Sequence, residues 1–318
     1  AYRELTPMAV EIKKVYQHIK SGYENNRLSV FNGYFFRDLD NMQATWELVE
    51  GGKVIEKGVI STLEVEPQLT KAFEVPFKKD LKEGKEYFLN LRYTLKNAEP
   101  FLEKGYEIAY EQFALGPQTV AIAFAPKSGR LKMEQTDKQY TIAGADFTIQ
   151  FDRENGVLSS YKLKGRELLQ GGPQPAFWRA PTDNDIGAGY NRSLREWRNA
   201  YEKGTGLTTA ARQAANGDYE ITIKKGLLNG DAATEQIFTI SGDGTVKVDN
   251  RLQAIGGKHR LLMRVGNDLQ LNKDLMQIQW YGRGPWENYW DRKSASLVGV
   301  YKQTVDEQYF PYARPQES

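Results

Sequence analysis

Tyr87-Phe88-Leu89-Asn90-Leu91-Arg92-Tyr93-Thr94-Leu95-Lys96 alternates apolar and polar side chains with a period of two. Tyr87, Leu89, Leu91, Tyr93 and Leu95 fall on one side, and Asn90, Arg92, Thr94 and Lys96 on the other. Phe88 is the one exception. A strand with one buried and one wet face needs this pattern, because successive side chains leave a pleated strand on opposite sides. Working outward, residues 46–50 and 53–57 flank Gly51-Gly52. That spacing predicts a hairpin with a primed turn. Residues 27–32, 72–76 and 107–114 are further strand candidates.

Together these make about seven short strands in roughly 115 residues, which fits an immunoglobulin-like sandwich. One helix precedes them. Thr6 is suited to the N-cap and Pro7 to the first helical position, with Ala9, Ile12 and Val15 following at helical spacing. Residues 16–19 then read as turning extended.

Gly116-Pro117 closes the first block, and Ala125-Pro126-Lys127-Ser128-Gly129 reads as a linker. The boundary is placed there, giving domains 1–126 and 127–318. The second block is also rich in strand patterns. Residues 141–143 and 147–151 flank Gly144, and a turn at 152–156 leads into 157–163. Later strands fall at 219–224, 235–241 and 245–253, separated by Asn229-Gly230 and Ser241-Gly242-Asp243-Gly244. A helix is predicted over 194–201. The alternation of Leu261, Met263 and Val265 reads as a strand. The expected class is all-β.

Composition narrows the chemistry. Lys and Arg number 43 against 41 Asp and Glu, for a net charge of +2 over 318 residues, which is too balanced for a nucleic-acid-binding face. No cysteine is present, which removes disulfides, thiolate-ligated metals and thiol nucleophiles. Two histidines make a His-based metal centre or a Ser-His-Asp triad a poor fit; His18 and His259 read as structural. The longest apolar run, Val120 to Ala125, is too short to span a bilayer, so no membrane partner is expected. Lack of cysteine leaves cytoplasm and periplasm equally open. Ala1 in place of Met predicts a chain processed or excised from something larger.

Two segments concentrate chemistry-bearing residues. The first is Phe177-Trp178-Arg179-Ala180-Pro181-Thr182-Asp183-Asn184-Asp185-Ile186-Gly187. Asp and Asn are turn formers, so a surface turn accounts for it. A calcium loop would need Gly at its sixth and Glu at its twelfth position, where this chain has Ala188 and Leu194. The second segment packs Trp280, Tyr281, Trp286, Tyr289 and Trp290 among Arg283, Glu287, Asn288, Asp291 and Arg292. Sugars lay C–H faces on aromatic rings and hydrogen-bond to carboxylates and amides. A carbohydrate-facing surface and a packed interface both suit that composition.

The same two segments carry a resemblance. The first resembles the RAPxDNDIG stretch, and Tyr281 through Arg292 the GxGPxENYxDR stretch, of bacterial β-galactosidases of glycoside hydrolase family 2. Phe310 through Ser318 resembles the YxxPxEN-like continuation. Glu11 through Gln17 resembles the start of the first sandwich after the barrel, and Phe35 through Asn41 its second strand region. The resemblance implies an immunoglobulin-like sandwich followed by a truncated supersandwich like that of galactose mutarotase. Both catalytic carboxylates of the family sit on a (β/α)₈ barrel with no counterpart here. The implied role is a non-catalytic scaffold portion of an enzyme that hydrolyses terminal β-D-galactosides with retention.

For this portion the resemblance implies no catalytic residue, metal or cofactor of its own; the parent family often uses Mg and Na at the barrel site. The implied partners are the β-galactoside substrate and the missing barrel and N-terminal domains, with sheet edges that leave room for a homo-oligomer. In the family, the loop after DNDIG lies at the active-site mouth and moves on binding. That makes Asp183, Asn184, Asp185, Gly187 and Gly189 the substrate-proximal candidates, and Trp286, Tyr289 and Trp290 the carbohydrate-facing or interface aromatics. A stand-alone carbohydrate-binding module is the alternative. An aldose epimerase is a third reading, weakened because the second block holds His259 alone.

Overall fold

The structure, a computed structural model, describes residues 5–116, 126–256 and 261–312. The 117–125 stretch, with the Val120 to Ala125 run, lies outside the described residues, as do His259 and 313–318. The described chain is mostly β, in antiparallel sheets. Its residues group into two compact units. Gln277–Phe310 clusters with the N-terminal part, and the second unit comprises the residues between together with those from Pro311 onward.

The first unit opens with helix α1 (Pro7–Val15), whose Thr6 Oγ1 accepts from Ala9 N–H at 3.1 Å. Seven strands follow: β1 (Ile19–Glu24), β2 (Arg27–Asn32), β3 (Met42–Glu50), β4 (Lys53–Ile60), β5 (Thr70–Glu74), β6 (Tyr87–Leu95) and β7 (Glu107–Leu115). They form two sheets, in order β1-β2-β5 and β4-β3-β6-β7. The register Trp46↔Leu91 and Leu48↔Leu89 puts the apolar face of β6 beside that of β3. Leu28, Val30, Leu48, Leu89 and Leu91 join one core cluster drawn from both sheets. Burial of each such side chain contributes about 1.5–3 kcal/mol. Residues 33–41, expected in part as a strand region, form the loop between β2 and β3. Asn32 explains the interruption: its side-chain amide donates to the carbonyls of Arg37 and Val65, both at 2.9 Å, so the loop is held by a side chain and not by a ladder.

In the second unit, β8 (Lys132–Gln135), β9 (Gln139–Ala143), β10 (Phe147–Asp152), β11 (Val157–Leu163) and β12 (Arg166–Glu167) form one sheet. After β13 (Leu169–Ala176) come short helices α2 (Asp183–Gly187) and α3 (Tyr190–Ser193), then a 3-10 turn at Arg195–Asn199. Strands β14 (Thr205–Gln213), β15 (Tyr219–Leu227), β16 (Ala232–Ile240) and β17 (Val246–Ala254) form a second sheet, and β18 (Gly266–Leu271) pairs with β13. Ile142, Ile149 and Phe151 from one sheet meet Ile221, Ile223 and Phe238 from the other. The Phe151 and Phe238 rings sit edge-on at 5.1 Å.

Two expectations are corrected here. The helix predicted over 194–201 is the five-residue 3-10 turn, because Trp197 and Tyr201 are drawn into a core cluster with Phe177 and Leu227. The strand read at Leu261, Met263 and Val265 begins only at Gly266. The Met263 carbonyl accepts from Arg179 Nε at 3.0 Å, and Leu261 and Val265 are exposed, so no core face organises them.

The last strands, β19 (Gln277–Gly284) and β20 (Leu297–Thr304), form a hairpin in the first unit. Gln112 of β7 treats β20 as a neighbouring strand. Its Nε2 donates to the Val298 carbonyl at 2.9 Å, and its Oε1 accepts from Val298 N–H at 2.8 Å. Tyr281 donates to the Glu86 carboxylate. Glu11 of α1 accepts from Ser294 and Ala295 N–H at 2.9 and 2.8 Å.

Candidate functional site

The two candidate segments lie in different units and are described separately. In the first, Thr182 caps α2 through a reciprocal box. Its Oγ1 accepts from Asp185 N–H at 3.2 Å, and Asp185 Oδ2 accepts from Thr182 N–H at 2.9 Å. Asp185 is 7% exposed. Burying that carboxylate requires a partner, and Arg179 supplies one, with Nη2 at 2.9 Å from Oδ2 and 3.1 Å from Oδ1. The expected surface turn is thus a capped helical turn with one acid locked inward. Asp183 and Asn184 remain exposed.

Downstream, Trp197 and Phe177 rings pack edge-on at 5.3 Å. Residues 186–193 therefore run between two anchors, the Arg179–Asp185 pair and Trp197. Ile186 and Tyr190 are exposed within that span. Of its two glycines, Gly189 has φ +74°, in the left-handed region, whereas Gly187 has no such torsion and open space around it. Gly189 is the residue of the pair whose backbone requires glycine. The Thr182–Asp185 box was readable as a cap signature; the Arg179 pairing was not.

In the second segment, Trp280 and Tyr301 stack at 5.5 Å, and Trp280 Nε1 donates to the Arg283 carbonyl at 2.9 Å. Arg283 in turn donates to the Ser296 carbonyl at 2.8 Å. A tight turn projects beyond. Tyr289 N–H donates to the Arg292 carbonyl at 2.9 Å and Arg292 N–H returns to Tyr289 at 3.2 Å, leaving Trp290 and Asp291 at the corners. The Arg292–Glu287 ion pair at 3.1 Å and the Arg292 guanidinium 5.1 Å over the Tyr289 ring brace its base. Trp286 and Tyr289 are half-buried, but Trp290 is 93% exposed.

Carboxylate protonation follows this pairing. Hydrogen bonds hold Glu50 (from Lys85), Glu99 (from Arg37), Glu235 (from Lys224), Glu307 (from Thr304) and Asp243 (from Lys127 N–H) below the usual carboxylate range, Asp243 at about 2. Asp152 and Glu167 are also lowered: burial pushes them upward, but hydrogen bonds outweigh it.

Residues 143–318 match the family described as beta galactosidase small chain. The chain belongs to this family. Residues 28–116 match the module described as beta-galactosidase domain 4. A beta-galactosidase from Priestia megaterium is 32% identical over 98% of this chain and 30% of its own length. One from Pseudoalteromonas haloplanktis is 27% identical over 92% and 29%, respectively. One from Halalkalibacterium halodurans is 29% identical over 100% and 32%. The small-chain member thus spans about a third of the length of the curated relatives it matches.

Proposed function

We propose that the chain is the scaffold portion of a β-galactosidase, that the parent hydrolyses terminal β-D-galactosides with retention, and that this portion carries neither catalytic carboxylate. The observation that carries the reading is the coverage: 98% of the chain aligns with 30% of the Priestia megaterium enzyme. Two modules of such enzymes, domain 4 and the small chain, account for the aligned stretch. The described acids support the non-catalytic part. A retaining glycosidase needs a carboxyl group of raised pKa about 5–5.5 Å from a second carboxylate. In the two candidate segments, Asp185 and Glu287 are held in ion pairs with Arg179 and Arg292. Residues 183–189 are assigned to the rim of the parent's substrate site, with Asp183 and Asn184 outward and Asp185 as the anchor.

The purified chain is expected to release no nitrophenol from an aryl β-galactoside. Carried in the longer polypeptide, the same residues are expected to accompany turnover in which proton NMR detects β-galactose first. Turnover by the isolated chain that survives repurification would overturn the scaffold reading. An α-anomer from the longer polypeptide would overturn retention.

A further inference from the structure

We propose that Trp290 is a sugar-stacking platform, a subsite for the apolar face of a β-galactoside. Trp290 stands at the corner of the Tyr289–Arg292 turn, and the chain has six Trp in all. Trp46 and Trp197 are 5% and 2% exposed, and Trp178, Trp280 and Trp286 are half-buried. Leaving one indole 93% in water sacrifices the burial that its size would return. The turn beneath it is braced by the Tyr289–Arg292 backbone pair and the Arg292–Glu287 ion pair. The ring is therefore presented on a preorganised support, which lowers the ordering cost of binding.

The surroundings favour a sugar over a protein surface. Protein interfaces cluster aromatics in cores depleted of charge. Trp290 instead has exposed Asn288 and Asp291 beside it in sequence, and the Lys293 ammonium lies 4.5 Å from its ring centroid. A single exposed ring with an ammonium over it, and an amide and a carboxylate close by in sequence, matches a pyranose, whose C–H face stacks while its rim hydroxyls need donors and acceptors. Galactose offers such a face, because the hydrogens on C3, C4 and C5 lie on one side. The choice of galactoside rests on the β-galactosidase reading; the stacking site is tested by binding, whereas that reading is tested by turnover and stereochemistry.

The experiment titrates the full chain with methyl β-D-galactopyranoside and with lactose, following tryptophan emission and its quenching by acrylamide. The exposed, red-shifted component belongs to Trp290. Expected is a saturable blue shift in the millimolar range with protection from acrylamide. The affinity should fall at least about fivefold in W290A, as for loss of an aromatic stacking partner, and be partly kept in W290F. Both variants should melt like the parent chain, because the side chain touches no core. An unchanged spectrum in a folded chain overturns the proposal. So does a shift that persists in W290A, or one that methyl α-D-mannopyranoside reproduces equally. A red component that disappears with rising protein concentration, without sugar, overturns it in favour of a protein contact.

Discussion

Asp185 shows how one buried charge organises a local structure. It accepts from Thr182 N–H and Thr182 Oγ1 and pairs with Arg179. Asp185→Asn keeps the shape and removes the charge, and with it the ion pair to Arg179. A loss of about 1–3 kcal/mol is expected, read as a lower urea midpoint with an unchanged slope. The neighbouring glycines separate two effects. Gly189→Ala forces an L side chain into φ +74° and should cost about 1–2 kcal/mol. Gly187→Ala meets nothing within 4 Å and should be neutral or slightly stabilising, because it restricts the unfolded chain. Equal effects at both positions would show that backbone conformation is not the cause. At this scale the sequence was partly legible. Thr182 and Asp185 stand at cap spacing, but Arg179 has no spacing rule that ties it to Asp185, and only the fold brings them together.

Among elements, legibility followed the apolar pattern. The predicted 27–32 strand coincides with β2, and the 87–96 alternation became β6 with Tyr87, Leu89, Leu91, Tyr93 and Leu95 buried. Where no face is apolar, the signal vanished. Strand β13, Leu169–Ala176, contains two glycines and two prolines, and its pairing with β18 shifts register twice. Strands β19 and β20 alternate weakly, and their packing partner lies far away in the chain: Gln112 and Val298 are 186 residues apart. That contact makes a prediction. Gln112→Ala removes both backbone hydrogen bonds to β20 and should lower stability by about 1–3 kcal/mol. Hydrogen exchange should quicken in the amides of β19 and β20 before those of β3 and β6. Gly52→Ala should act likewise, because its Cβ would fall 2.5 Å from Val300 Cγ2. Uniform acceleration across the first unit would instead mean that the hairpin and the sandwich open together.

Over the whole molecule, tyrosines couple folding to alkaline pH. Burial raises Tyr23, Tyr34, Tyr93, Tyr110, Tyr161, Tyr201, Tyr281 and Tyr301 above the ordinary value of 10.0, Tyr201 to about 12. A phenol kept neutral in the folded state retains a proton that the unfolded chain releases. Its contribution is complete below pH 10 and is lost as pH climbs through the folded values. Lys14 and Lys225 work in the opposite direction: burial lowers their pKa values against the pull of Glu111 and Glu202, so their penalty fades as pH rises toward 10.5. Eight tyrosines outweigh two lysines, and melting temperature should fall steeply from about pH 10 upward, with phenolate absorbance rising in step with unfolding. Phenolate formation well before unfolding would contradict this coupling.

Period-two alternation, Gly-Gly and Asn-Gly turns and the Thr6-Pro7 start determined the all-β class and many of the strands, because side-chain periodicity and turn torsions are local properties. The two family-like segments likewise marked themselves in one dimension. Tertiary structure alone decided that Asp185 faces Arg179, that the 194–201 stretch yields its helix to the burial of Trp197, and that a late hairpin packs against β7. It also decided that Trp290 is the most exposed of the five clustered aromatics. Each of these is a choice among competing partners, near or distant along the chain, and such choices are settled by burial and charge pairing, which a linear pattern does not record.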